Sequence, residues 1–298
     1  MAAYRIKKKN PNIHWIASFS DPIKDTPFQK YYAKTYQGIK NKLAYFISRF
    51  FNENSYYQKI TFKSADTLVF ISEEQRDFMT KRDIKLINKS IVVPFTYIKE
   101  WPIYKQLINE KQKSDNQPKR IIHLGNVYGL RRVDCLVQAV KIAKEMVPDL
   151  HKYIQIEHYG NMEQKQRNLI HQSGVDDVLK DFERISYAQT LIKMKEADVL
   201  LLLDVYVDEH ELQPYMPSKF IEYFLTDKLI LAIANERSPI FRQLKNTMHL
   251  SVKPDSNQIA EALVSIIQKS CYVKNNFEIF ENEQVIGDTL KKLLNYMD

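Results

Sequence analysis

A chain of 298 residues, 44% of them apolar, is long enough for two domains with real cores, and its two cysteines exclude a disulfide framework. Cys135 and Cys271 both fall in apolar, helix-like stretches and read as buried structural thiols of a reducing, intracellular compartment. The net charge of +8 is spread over dispersed lysines without a helix-turn-helix, zinc-finger or RNP1-type pattern. Nucleic acid is therefore set aside as a partner. A solvated basic surface is the plainest reading, and contact with an anionic membrane face comes next.

The first ten residues carry Arg5, Lys7, Lys8 and Lys9, and no apolar run follows that charge, so no signal peptide is expected. The longest apolar run, 229–234, is far short of the roughly 20 residues of a membrane span. From there the chain reads as strand at 14–20, helix at about 36–63, strand at 67–71, helix after Ser72, and strand at 91–93. Residues 109–118 are polar and end on Pro118, which suggests a linker.

Behind the linker the alternation is regular. Strands are expected at 120–124, 153–159, 178–185, 198–203, 229–234 and 248–252. Helices are expected at 132–146, 162–172, 187–196, 218–225 and 258–268. Such alternation implies βαβ units and a parallel sheet. The unbroken apolar run 199–203 fits a strand covered on both faces. The tail 284–297 is amphipathic, with Ile286, Leu290, Leu293, Leu294 and Met297 on the face expected to pack.

In an open parallel sheet, ligands bind beyond the carboxyl ends of the strands. Three turns lie there. Gly125-Asn-Val-Tyr-Gly129-Leu-Arg131-Arg132 offers backbone room, a helix start and forked donors for phosphate, although a turn with two solvated arginines is the plain alternative. His158-Tyr-Gly160 ends the next strand, and His158 reads as structural there. Tyr215-Met-Pro217-Ser218-Lys219-Phe-Ile-Glu222-Tyr223 opens a helix with Lys219 and Glu222 on one face. A cation by phosphate and a carboxylate one turn later would suit a nucleotide, since Glu accepts two hydrogen bonds from vicinal hydroxyls. A surface Lys–Glu pair is the alternative.

These residues resemble the family 4 (group 1) glycosyltransferases. Pro217 to Tyr223 followed by Leu229-Ile-Leu-Ala-Ile233 is similar to their "P-x-K-x-x-E-Y … P-I-L-A" segment. Gly125 with Arg131-Arg132 resembles their "G-x-x-x-x-x-R" turn, and Ser186 to Leu200 their "S/P-x-x-E-L … A-D-V" stretch. Trp15 to Pro22 and Ala65 to Ser72 resemble "W-I-A-D-F-R-D-P" and "A-D-x-V-I-x-x-S". The matches keep the family's order from about residue 13 to 235.

The resemblance implies an α/β fold of GT-B type: two Rossmann-like domains facing a cleft, the second with a six-stranded parallel sheet. It divides the chain into an incomplete acceptor-side domain at 1–108, a linker at 109–119, a nucleotide-sugar domain at 120–275, and a helix at 276–298 returning to the front. It implies sugar transfer from a nucleotide-sugar donor to a saccharide or lipid-linked acceptor, retaining the anomeric configuration, with no bound metal or other cofactor. The setting would be cell-surface polysaccharide synthesis at the cytoplasmic membrane face.

Glu222 would hold the ribose. Arg131 or Arg132, with Lys219 and Ser218, would hold the diphosphate, and Gly125 and Gly160 would give backbone room. Asp21, at the end of the first strand, is the candidate catalytic residue. Two departures stand out. The family's second glutamate falls on Pro214, with Glu209 or Glu211 as off-spaced substitutes. The Trp-containing strand also comes some hundred residues early, so the family's front-domain histidine has no counterpart but the ill-placed His14. A non-catalytic nucleotide-binding remnant or subunit needing a separate front half is the alternative, and a sugar-nucleotide epimerase a weaker one.

Overall fold

The computed structural model describes residues 2–23, 26–35, 53–97, 117–274 and 282–294. The front part contains α1 (Ala2–Lys9), β1 (Ile16–Phe19), α2 (Pro27–Thr35), α3 (Glu53–Ser64), β2 (Thr67–Phe70), α4 (Glu73–Thr80), α5 (Ile84–Ile87) and β3 (Ser90–Val92). Its strands form a parallel three-stranded sheet in the order β1-β2-β3. Phe19, Phe62, Leu68, Phe70 and Met79 make its core. The Ser72 hydroxyl accepts from the Gln75 N–H at 3.0 Å and starts α4, as its position before two acidic residues suggests.

The back part contains β4 (Lys119–Leu124), α6 (Asp134–Met146), β5 (Ile154–Tyr159), α7 (Gln164–Gln172), β6 (Leu179–Phe182), α8 (Tyr187–Glu196) and β7 (Val199–Leu203). It continues with α9 (Lys219–Phe224), β8 (Leu229–Ile233), α10 (Pro239–Leu244), β9 (Leu250–Val252) and α11 (Ser256–Gln268); α12 (Asn282–Leu294) follows. All six strands run parallel in the order β6-β5-β4-β7-β8-β9. In chain order that is 3-2-1-4-5-6, the doubly wound arrangement whose order reverses between β4 and β7.

Both faces of this sheet are covered. Val199, Leu201 and Leu203 of β7 join one core with α6 and α11. Leu200 and Leu202 join the other with Phe220, Ile221 and Phe224 of α9. Alternate side chains of a strand point to opposite faces, so a strand buried on both reads as an unbroken apolar run. Each fully buried Leu or Ile stabilises the fold by about 1.5–3 kcal/mol.

Several expectations are corrected. Among the described residues, four helices go unread in the sequence: α1, α2, α5 and α10. The strand expected at 178–185 ends at Phe182, because Ser186 and Gln189 form a capping box that starts α8. Lys119 belongs to β4, where its Nζ donates to the carbonyls of Ile266, Ile267 and Lys269. The rest of the expected linker through 116, and residues 36–52 of the long front helix, lie outside the described residues.

Neither cysteine is in a disulfide, and both are half-buried against one core rather than fully buried. Among the described side chains of α12, Val285 is buried and Leu293 half-buried, while Ile286, Leu290 and Leu294 are exposed, so the expected face is only partly covered. Met297 lies outside the described residues. Among the described residues, no helix is long and apolar enough to cross a membrane.

The turns after β4 and β5 touch backbone to backbone. A Cβ added to Gly160 would lie 2.0 Å from the Gly125 carbonyl oxygen. Gly160→Ala should therefore push the two turns apart and cost at least about 1–3 kcal/mol, the usual range for overpacking. Gly174→Ala meets open space at a φ of +66° and should cost about 1 kcal/mol. Urea denaturation of the two variants against wild type measures the difference.

Candidate functional site

The turn after β4 is pinned on every side. Val127 donates to the Asn161 carbonyl at 2.8 Å and accepts from the Glu163 N–H at 3.1 Å. Gly129 takes a φ of +58° and donates to Glu163 Oε1 at 3.0 Å. A Cβ there would lie 3.1 Å from the Phe28 ring, so α2 of the front part packs on this glycine. At the end of β4, the Leu124 N–H donates to the Tyr223 hydroxyl at 2.9 Å, which ties the strand to α9.

Beyond β4 and β7, at the point where the strand order reverses, opens a cavity of about 350 Å³. Its back wall holds Gly125, Arg131, Ser218 and Lys219; Asp21 and Phe95 face it from the front. Arg131 lies over the Tyr128 ring at 5.9 Å. Lys219 Nζ lies 2.8 Å from Glu222 Oε2 and 5.6 Å from the centre of the Tyr187 ring. The Tyr187 hydroxyl donates to Glu222 Oε1 at 3.2 Å. Ser218 is exposed, has helical backbone angles and makes no side-chain cap bond.

The cavity thus gathers Asp21, Gly125, Arg131, Ser218 and Lys219, with Glu222 joined to it through Lys219. Two other expected residues stand apart. Arg132 turns away, lies 5.7 Å over the Tyr206 ring, and lines a separate cavity of about 210 Å³ with Lys30 and Glu211. Gly160 is buried under Gly125 and serves the close approach of two turns. Glu211 pairs with Lys30 at 2.8 Å and Glu209 with Lys253 at 3.2 Å, so both are engaged outside this cavity. His14 bonds Thr67 Oγ1 at 2.8 Å, at the amino end of the front sheet.

Three groups escape the sequence reading. His123 lines the cavity, is buried and stacks on His158. Tyr187 touches Glu222 from α8. Asp204, directly after β7, is fully buried. The Val205 N–H donates to its Oδ1 at 2.8 Å and Gln213 Nε2 donates to the same oxygen. Gln213 Oε1 in turn accepts from the Tyr215 N–H. This chain fixes the loop that carries Tyr215 and Met216 over the cavity. A buried Asp just past an apolar strand is the signal that could have revealed it.

No family model matches the sequence, and no curated protein matches it. Solved structures do match. HepE of Anabaena in complex with UDP aligns with a TM-score of 0.65 at 12% identity, covering 99% of this chain and 76% of that one. Sucrose-phosphate synthase of Thermosynechococcus elongatus aligns at 0.63 and 15%, covering 98% and 70%. TarM of S. aureus, in complex with Fondaparinux, alpha-GlcNAc-glycerol and UDP, aligns at 0.53 and 13%, covering 83% of this chain and 46% of that one.

The fold is the GT-B arrangement. The two parallel sheets and their cleft follow it, and the six-stranded sheet expected for the back domain is present.

Burial pushes the Asp204 carboxyl up to about 7; the Val205 N–H, Arg131 and Gln213 oppose it. A carboxyl whose folded value is raised binds its proton more tightly in the native state. Its contribution to stability is full below about pH 4 and is lost as pH rises through about 7. Wild type should therefore lose stability relative to Asp204→Asn between pH 4 and 7. Denaturation midpoints of both proteins across that range test the sign; parallel curves would show that Asp204 titrates alike folded and unfolded.

Proposed function

We propose that this chain is a glycosyltransferase of the family 4 type, moving a sugar from a nucleotide-sugar donor to a saccharide or lipid-linked acceptor. One observation carries the reading. Arg131 and Lys219, from two separate turns, converge in one cavity at the strand-order reversal, beside the Glu222–Tyr187 pair and facing Asp21. Fixed cations in a cleft stabilise a leaving diphosphate because they need no reorganisation as charge develops. Glu222 keeps Oε1 toward a hydroxyl donor, now Tyr187, and a ribose hydroxyl is a donor of the same kind.

In this reading Asp21 sits across the cavity from the cations, where the acceptor would enter, and Ser218 adds a hydroxyl on the phosphate side. The cations perform the neutralisation for which a metal would otherwise serve. Retention of configuration and a place in cell-surface polysaccharide synthesis rest on the sequence resemblance. So does a position at the cytoplasmic membrane face, together with the net charge of +8. UDP is the first nucleotide to try, since HepE and TarM were each solved with it.

The test is a calorimetric and thermal-shift panel of UDP, GDP, ADP and their sugars. A ligand at 100 times its dissociation constant should add about 2.7 kcal/mol of stability. Arg131→Ala and Lys219→Ala should each weaken the active nucleotide by roughly 10- to 100-fold, the worth of a charged hydrogen bond. Glu222→Ala should weaken a full nucleotide but not inorganic diphosphate. Arg132→Ala should bind as wild type does. Folded protein that responds to none of these ligands would sink the proposal.

A further inference from the structure

His123 and His158 occupy the same register position on neighbouring strands, each two residues before a glycine. Their rings stack 5.0 Å apart at 17°, and their Nδ1 atoms lie 2.8 Å from each other. A neutral imidazole carries one N–H and one lone pair. Two nitrogens at this distance share one proton, so the rings must take opposite roles. Either His123 donates from Nδ1 and its Nε2 is bare, or His158 donates and the Nε2 of His123 carries a proton.

The far side of the pair decides which. His158 Nε2 faces Asp181 Oδ1 at 3.8 Å; both atoms are buried and neither has a hydrogen-bond partner. Burial raises the Asp181 carboxyl, and Arg167, whose Nε lies 2.8 Å from its other oxygen, opposes that rise and favours the carboxylate. A carboxylate oxygen attracts an N–H and repels a lone pair. His158 therefore carries its proton on Nε2, accepts at Nδ1, and leaves His123 with its proton on Nδ1.

The near side agrees. The bare Nε2 of His123 lies under Gly125, where an added Cβ would sit 3.5 Å away. It belongs to the cavity that holds Arg131 and Lys219, and cations favour a facing lone pair. Burial first, then His158, Arg131 and Lys219, hold His123 well below its ordinary pKa, so the ring stays neutral. Burial, helped by Arg167 and opposed by the Gly160 backbone, likewise brings His158 down to about 4.

We propose that His123 is a ligand-reading residue that accepts a hydrogen bond from a hydroxyl of the bound sugar nucleotide, with His158 and Asp181 as positioning residues that fix its tautomer. The inference rests on the donor-site reading above. A bare nitrogen repels phosphate oxygens, and the neighbouring cations repel an ammonium group. A neutral hydroxyl is what remains. It can belong to the transferred sugar or to the ribose.

The experiment has two arms. In protein labelled with nitrogen-15 at the histidine rings, long-range proton–nitrogen spectra separate bare from protonated nitrogens without any ligand. His123 Nε2 and His158 Nδ1 should be bare; the reverse assignment overturns the relay. In Asp181→Asn, whose amide can donate to His158 Nε2, the bare nitrogen should move from His123 Nε2 to His123 Nδ1. Should that variant fail to fold, the wild-type spectrum still decides.

The second arm is calorimetry with UDP and UDP-glucose on wild type, Asp181→Asn and His123→Phe. A loss of about tenfold for UDP-glucose alone places the hydroxyl on the transferred sugar; an equal loss for both places it on the ribose. Unchanged affinities in both variants overturn the proposal. Wild type that binds none of UDP, GDP, ADP and their sugars sinks the donor-site reading and the hydroxyl with it, while the spectra still judge the tautomer; where another nucleotide of that panel binds in place of UDP, this arm is run with it and its sugar.

Discussion

The cavity exists because two backbone turns can lie against each other. At Gly160 no side chain fits beside the Gly125 carbonyl, and the resulting contact lets β4 and β5 end level. Everything above that contact depends on it. The turn after β4 is pinned through Val127 to the chain following β5, and it delivers Arg131 to the point where the strand order reverses. The paired histidines sit one layer below, where the same levelling sets their Nδ1 atoms face to face. A single φ/ψ and steric requirement thus positions both Arg131 and the histidine pair.

The front part closes over this platform with apolar and charged contacts of different kinds. Phe28 stacks on Tyr128 at 5.7 Å and meets Tyr215 edge-on at 5.5 Å, so one ring bridges two cavity-lining loops. Such aromatic contacts add about 0.5–1.5 kcal/mol beyond the area they bury. Tyr97 is buried in the back core, with Ile71 and Phe95 packed against it. Arg242 grips Glu74 with two hydrogen bonds of 2.6 and 3.2 Å. Lys30–Glu211 is the weaker tie, because both side chains are exposed and surface pairs contribute about 0–1 kcal/mol. The aromatic bridge and the Glu74–Arg242 fork, rather than the surface pair, hold Asp21 opposite the cations.

The sheet of the back part was legible because burial on both faces leaves short apolar runs such as Val199–Leu203, and the bounding Asp198 and Asp204 favour a strand there over a buried helix. Strand order was not, since periodicity says which residues are buried and not which strand lies beside which. Helix α10 carried its own signal, Ser238 before Pro239, and could have been read. Helices α1 and α2 could not. The first buries no residue, and the second is set by aromatic contacts with a distant turn. In the site, spacing alone could not separate Arg131 from Arg132, because adjacent residues leave a turn in different directions. The repeated His-x-Gly of β4 and β5 was visible, but its meaning lies in the pairing register, which a single sequence does not display.

Arg131 ties the electrostatics of the site together. Its charge is among the causes that lower His123 and that pull Asp204 back toward its ordinary value against burial. It therefore favours a neutral His123 ring and opposes the burial that favours the protonated Asp204 carboxyl. Gln213 in turn fixes Tyr215 above the cavity. An anion paired with Arg131 would weaken both effects, since a neutralised guanidinium no longer favours either state. In the proposed reading, phosphate binding, the acceptor role of His123 and the anchoring of the Tyr215 loop are linked through one side chain.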